Sequence, residues 1–222
     1  SAMKILTGVP AERLNDIPSL AQAAEHNGFS GLSTQENRHN PFLPLAIAAV
    51  HSQQLELRTN VAIAFARSPM VAAGLAWDLQ SATAGRFVLG LGSQVKGHNQ
   101  RRFSVPWSPP APRLREYVEA IQAIWDCWRD GTPLQYEGKH YQFSLMTPNF
   151  TPEPLTSALP KLHIAAVGPA MMNVAASACD GVMLHAFCTP KYLTESILPG
   201  IHQSLAARGY ARAQFEISGG GF

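Results

Sequence analysis

The chain has 222 residues, 46% of them hydrophobic and 14% charged, with a net charge of +2. This is enough apolar material for one sizeable core, so a single domain over residues 1–222 is expected. The balance argues against a nucleic-acid surface, because Lys and Arg do not cluster beyond Arg101-Arg102, and runs such as "LAIAAV" are far too short to span a bilayer.

Ser1 and Ala2 precede Met3 and read as a cloning scar, and no secretory signal is expected. The first strand is expected at "KILTGV" (4–9), followed by a helix that ends at Gly28. A second strand at "GLSTQ" (31–35) leads to Asn40-Pro41, where a capping side chain before a proline opens a helix. A third strand spans "LELRTNVAI" (55–63). Ser68-Pro69 opens the next helix and Gly85 closes it. The fourth strand is "RFVLGLG" (86–92). In "PRLREYVEAIQAIWDCWRDG", Leu114, Tyr117, Val118, Ile121, Ile124, Trp125 and Trp128 recur at helical spacing, so the aromatic residues among them read as packing. Residues 132–161 break the rhythm: "YEGKHYQF" reads as a small hairpin and "TPNFTPEPLTSALP" as a proline-rich insertion after the fourth helix. Strand five is "KLHIAAVG" (161–168), running into a helix at Gly168-Pro169. Strand six is "GVMLHAF" (181–187), followed by Thr189-Pro190 and a helix ending at Gly209. Strand seven is "FEISG" (215–219).

Strand and helix alternate along nearly the whole chain, the α/β pattern of a parallel sheet covered by helices. The stretch "FVLGLGSQVKGHNQRRF" invites a dinucleotide-binding reading. It lacks the G-x-G-x-x-G spacing, however, and it follows the fourth strand, not the first. A (β/α)8 TIM barrel is the favoured architecture. In such a barrel the C-terminal strand ends build the site, and here they collect Glu36, His39, Arg67, Gln94, His98 and His185. The chain stops in its seventh strand, so an incomplete barrel is expected.

The three cysteines show no C-x-x-C spacing, and the eight histidines form no i, i+4 pairs. A disulfide framework and a metal site are not expected, and a reducing cytoplasm is.

Taken together, "NPFLPLAIAAV", "RTNVAIAFARSPM", "GRFVLGLGSQVKGHNQRRF" and "VGPAMM" with "ACDGVMLHAF" resemble the bacterial-luciferase-like superfamily. More narrowly, they resemble its branch of oxidoreductases that use coenzyme F420, a deazaflavin. Members of that family are longer, so a C-terminally shortened copy is expected. The resemblance implies a luciferase-like barrel in which the cofactor exchanges hydride with a small organic substrate. It also implies a non-prolyl cis peptide on the third strand, placed at Asn60–Val61, with Asn60, Val61 and Ala62 backing the ring. An FMN-dependent luciferase-like monooxygenase and a non-catalytic flavin-binding protein remain as alternatives. A homodimer with no nucleic-acid or membrane partner is expected.

Each site residue carries two readings. Glu36 is either a rim carboxylate paired with Arg38 or Arg67, or lies, as the family implies, near the polar edge of the ring. Gly90 and Gly92 either relieve crowding or let a ring approach the backbone; the second is preferred because Gln94 and His98 follow. His98 is either a loop histidine or, with Glu36, a proton-transfer candidate. Arg101 and Arg102 are solvated or structural, or meet an anionic cofactor tail or substrate carboxylate. Val167, Gly168, Pro169, Ala170 and Met171 form either an ordinary cap or a phosphate cradle of helix amides. His185 is either a satisfied barrel histidine or a substrate contact.

Overall fold

A computed structural model describes residues 3–9, 13–185 and 188–219. The expected strand and loop positions at Pro10, Ala186, Phe187 and Gly220 to Phe222 lie outside the described residues.

In chain order the elements are β1 (Leu6–Gly8), α1 (Ile17–His26), β2 (Gly31–Thr34), α2 (Phe42–Val50), β3 (Glu56–Thr59), β4 (Ala62–Ile63), α3 (Pro69–Ala82) and β5 (Phe87–Gly92). There follow α4 (Lys96–Arg102), α5 (Pro110–Asp130), β6 (Tyr136–Glu137), β7 (Gln142–Phe143), β8 (Lys161–Ala166), α6 (Pro169–Ala178) and β9 (Gly181–Leu184). The last are α7 (Pro190–Tyr192), a π-helical stretch at Leu193–Ile197, α8 (Leu198–Arg208) and β10 (Glu216–Ser218). One parallel sheet runs β1-β2-β3-β5-β8-β9-β10, with β4 also paired to β5. β6 and β7 form a separate antiparallel hairpin.

The sheet is curled into a half-barrel, as the βα alternation predicts. Its two edge strands converge at the end where the strands begin. There Lys4, just before β1, meets Glu216 of β10 at 3.3 Å and Glu56 of β3 at 2.6 Å. Arg58, 2% exposed, donates to Glu216 at 2.8 Å and to Glu56. This charge network, with Arg58 buried at its centre, ties strands far apart in sequence, which only a curled sheet permits.

Local chemistry starts the helices where the sequence places them. Ser68 Oγ accepts from the Met70 amide at 3.2 Å, with Pro69 at the first helical position. Thr189 Oγ1 accepts from the Tyr192 amide at 3.2 Å. Asn40 Oδ1 accepts from the Phe42 amide at 2.8 Å, but here Pro41 stays just outside the helix. Gly131, at φ 68°, closes α5 in a left-handed conformation that costs glycine nothing. On α5, Tyr117 and Trp125 are buried as the helical spacing requires. Trp125 Nε1 donates to the Ala73 carbonyl at 3.1 Å, and Trp128 packs edge-on against Trp77, which locks α5 to α3.

Candidate functional site

The loop after β2 is held to β4 and α3. Glu36 accepts from Arg67 through both oxygens, at 2.6 and 2.7 Å, and from the Ile63 amide at 2.6 Å. The Glu36 side chain is 9% exposed and that of Arg67 14%. Arg67 also donates to the Ile63 carbonyl at 3.1 Å and lies over the Phe42 ring. Of the two partners the sequence left open for Glu36, the structure takes Arg67. A carboxylate with both oxygens in charge-assisted bonds is held in place.

The third strand, expected as one run over 55–63, breaks into β3 and β4. The Asn60–Val61 peptide between them is cis, at the bond the family resemblance implies. The Asn60 amide donates to the Thr34 carbonyl at 2.6 Å, and Val61 accepts from the Glu36 amide at 3.3 Å. Ala62 and Ile63 then resume pairing, opposite Leu91 and Gly92.

The structure supports the crowding reading of the β5 glycines. A Cβ on Gly90 would lie 1.9 Å from the Thr59 carbonyl and 2.6 Å from Met183 Cε. One on Gly92 would lie 2.6 Å from Val61 Cγ2. The space beside both glycines is filled by protein, so their missing side chains serve the packing of β5 against β3, β4 and β9.

After β5, Gln94 turns the chain at φ 55°, and its side-chain oxygen accepts from the Val95 amide at 2.8 Å. The segment read as a loop around His98 is the helix α4. The residue that organises it, Asn99, escaped the sequence reading. Buried, it donates to the Ser93 and Val95 carbonyls at 2.9 and 3.2 Å, while its backbone carbonyl accepts from Val105 at 2.8 Å. Polar "KGHNQRR" offers no apolar periodicity that would have marked the turn as helical. His98 is exposed on α4, not on a loop, and its Nδ1 accepts from Arg102 Nη1 at 3.1 Å. Arg102 also donates to the Asn37 carbonyl at 3.2 Å, joining α4 to the loop after β2. Arg101 is exposed on the same helix.

Val167, Gly168, Pro169 and Ala170 form an exposed turn between β8 and α6. No side chain caps this helix, and a Cβ on Gly168 would meet nothing within 4 Å. The amides of Ala170 and Met171 have no carbonyl four residues back within the helix, so they are donors for whatever approaches. The turn therefore fits an anionic group such as a phosphate. His185 is exposed directly after β9, and its carbonyl accepts from Cys188 at 3.1 Å. It is thus a rim residue, not one enclosed in the barrel.

Tyr117, which the sequence assigned to packing alone, also has a chemical side. Its hydroxyl is buried without a partner among the described residues, and burial pushes the phenol far up. Arg67, Arg113, Glu36 and Tyr141 act on it electrostatically.

Two hollows of about 410 and 540 Å³ lie off the strand ends, the second reaching Ala170. The first sits between Trp77, Trp125 and the 154–161 segment, the second between α5, the hairpin and α6. Neither is lined by Glu36, Asn60, Gln94 or His98, so volume alone does not mark this site, which is built from strand ends. Among the described residues no group of three or more His, Cys, Asp or Glu could hold a metal ion, and no helix is long and apolar enough to cross a membrane.

Residues 3–222 match the family model described as luciferase-like monooxygenase. A Mycobacterium tuberculosis protein named "Uncharacterized protein Rv1360" is 47% identical over 213 residues, covering 96% of this chain and 63% of the relative. A second protein of that organism, described as a candidate coenzyme F420-dependent oxidoreductase, is 30% identical over 87% of this chain and 55% of its own. The solved structure of the coenzyme F420 dependent tetrahydromethanopterin reductase of Methanopyrus kandleri superimposes with a TM-score of 0.79 at 21% identity. That match covers 99% of this chain and 65% of the neighbour. The chain thus spans less than two thirds of the length of each of these proteins.

Proposed function

The chain belongs to the luciferase-like monooxygenase family, and we propose that it serves an oxidoreductase that exchanges hydride between coenzyme F420 and a small organic substrate. The observation that carries this reading is the open turn at Val167 to Ala170. It presents uncapped helix amides at the same sheet end as Asn60, Val61, Ala62 and Gln94. The relative described as a candidate coenzyme F420-dependent oxidoreductase supports the deazaflavin over FMN.

In this reading the amides of Ala170 and Met171 hold the cofactor's phosphate. The backbone from Asn60 to Ala62 lies against its ring, with Gly92 and Gln94 beside it. Bound, the deazaflavin would supply the hydride chemistry. Glu36, tied to Arg67, acts as a positioning residue that fixes the β4–α3 turn. His98, exposed on α4 and held by Arg102, is the group best placed to move a proton. His185 and Arg101 flank the substrate from the rim. A cytoplasmic homodimer completes the proposal, its contact being the outward stripe of α2, where Leu43 is 54% and Val50 71% exposed.

Titration of the purified chain with coenzyme F420 and with FMN, followed by fluorescence, tests the reading. Saturable binding of F420 alone is the expected result. Binding of FMN alone selects the monooxygenase alternative, and binding of neither overturns the flavin assignment.

A further inference from the structure

The hollow of about 410 Å³ takes no part in the functional reading above. It lies where β8 and β9 begin, at the sheet end opposite the turn at Val167 to Ala170. Lys161 opens β8 and Asp180 directly precedes β9, and both line the hollow. Its volume falls within the range of about 300–1,000 Å³ that suits a small organic molecule.

One wall is the proline-rich strap before β8, which has neither helix nor strand over residues 151–160. The strap is nevertheless pegged to the core. Trp77 Nε1 donates to the Glu153 carbonyl at 3.0 Å, and Gln80 Nε2 to the Ala158 carbonyl at 2.8 Å. Both pegs belong to α3, and each is 2% exposed. Gln80 is itself fixed, its Oε1 accepting from the Phe87 amide at 2.9 Å. A Cβ on Gly85 would lie 2.9 Å from Ser157 Cβ, so the strap also rests directly on the turn between α3 and β5. Buried side chains thus hold the hollow's outer wall at a set distance from α3.

The lining has two kinds of surface. Trp77, Trp125, Leu155, Leu159 and the rings of Pro154 and Pro160 supply an apolar face. The rest is polar and carries unmatched positive charge. Arg208 lies over the Tyr210 ring at 3.7 Å and donates through Nη1 to the Ala176 and Cys179 carbonyls, at 3.3 and 2.5 Å. Neither Arg208 nor Lys161 has a carboxylate partner among the described residues. Arg129, on the same lining, is already matched by Asp126 and Asp130. The one acid on the lining is Asp180, and its Oδ2 accepts from the Leu162 amide at 2.9 Å. Two unmatched cations against one carboxylate leave a single positive charge over. A guanidinium stacked on a ring still presents its edge to a carboxylate.

We propose that this hollow is a second ligand site, for a small monocarboxylic acid with an aromatic body. The carboxylate meets Lys161 and Arg208, and the ring lies against the indole and proline wall. Such a ligand joins the strap and α5 to the first residues of β8 and β9, so it favours the folded chain by mass action. The site stands independently of the hydride chemistry proposed above.

The probe is 2-naphthoate, titrated calorimetrically into the full chain, with neutral 2-naphthamide as its uncharged counterpart. Saturable binding of the acid is expected, about tenfold tighter than that of the amide. Lys161 is exposed at the first position of β8, so its replacement should be tolerated. Lys161→Glu should bind naphthoate about tenfold more weakly and Lys161→Gln about threefold, while both hold the amide as the parent does. Arg101→Glu makes the same change of charge at the mouth of the site and should leave both affinities unaltered. Naphthoate should also raise the thermal midpoint of the parent more than that of Lys161→Glu. Absence of saturable binding, equal affinity for acid and amide, or parental affinity in the Lys161 variants overturns the proposal. So does equal weakening in Lys161→Glu and Arg101→Glu, which would reduce the effect to net charge.

Discussion

Glu36 and Arg67, 31 residues apart, face each other as a two-pronged ion pair at 2.6 and 2.7 Å, closed by the Ile63 amide. Glu36→Gln keeps the shape but leaves the Arg67 guanidinium without its counter-charge. A loss of about 2–3 kcal/mol of unfolding free energy is expected. Replacing both, as Glu36→Leu with Arg67→Met, should cost less than the single change, because no buried charge is orphaned. Urea denaturation of the three proteins checks this. A single variant as stable as the parent would mean the pair does not hold the turn and would return Glu36 to the list of proton-transfer groups.

Gly90 and Gly92 give a graded test of packing. At Gly92 the obstacle is a side-chain methyl of Val61, so Gly92→Ala should cost about 1–3 kcal/mol and be rescued by Val61→Ala. At Gly90 the obstacle is the Thr59 carbonyl, which cannot step aside, so Gly90→Ala should fail to accumulate as folded protein. Gly92→Ala folding at parental stability with weakened flavin binding would instead favour direct approach of the ring.

His163 on β8 predicts an acid-sensitive core. Its pKa is pushed down to about 3 by burial first and by Arg58 second, with Lys4 and Lys161 acting the same way and Glu216 opposing. The unfolded value is about 6.5. Between these values the unfolded chain binds a proton that the folded chain refuses. Stability should therefore fall as pH drops from about 6.5 toward 3, by up to about 1.4 kcal/mol per unit. Above 6.5 His163 adds no slope. Glu216 works lower down: burial raises its pKa, but Arg58 more than offsets this and holds it below 4.5. Its stabilisation is lost only as pH falls beneath that. Urea midpoints from pH 8 to 5 should fall with pH in the parent and stay flatter in His163→Gln. Parallel slopes would remove His163 as the cause.

What the sequence disclosed depended on how local the determinant is. Helix starts at Ser68 and Thr189 were legible because cap and amide lie within three residues of each other. The buried face of α5 was legible because its period is written in consecutive turns. α4 was not, because it is organised by the polar Asn99 bonding backwards to Ser93 and Val95. The break between β3 and β4 leaves no mark in composition; only the family resemblance placed it at Asn60–Val61. The crowding at Gly90 and Gly92 was illegible for the same reason. Val61, Thr59 and Met183, which fill their space, are distant in sequence, so the crowding exists only after folding.

Gly168 offers the cleanest separation of binding from folding. Its backbone, at φ −90° and ψ 167°, is extended and open to any residue, and a Cβ there would meet nothing within 4 Å. Neither the fold nor the helix start requires glycine, so Gly168→Ala should leave stability unchanged. Gly168→Asp should also fold, since a carboxylate just before the first turn can accept from the uncapped amides and is favoured by the helix dipole. Those amides are the donors proposed for the cofactor's phosphate, so the same carboxylate would displace it and repel its charge. Affinity for coenzyme F420 should then fall by about tenfold or more, a difference of about 1.4 kcal/mol. Gly168→Ala should bind nearly as the parent does. Fluorescence titration of the three proteins, beside their urea midpoints, reads both effects. Unchanged affinity in a well-folded Gly168→Asp would remove the phosphate from this turn and leave Val167 to Met171 as an ordinary helix start.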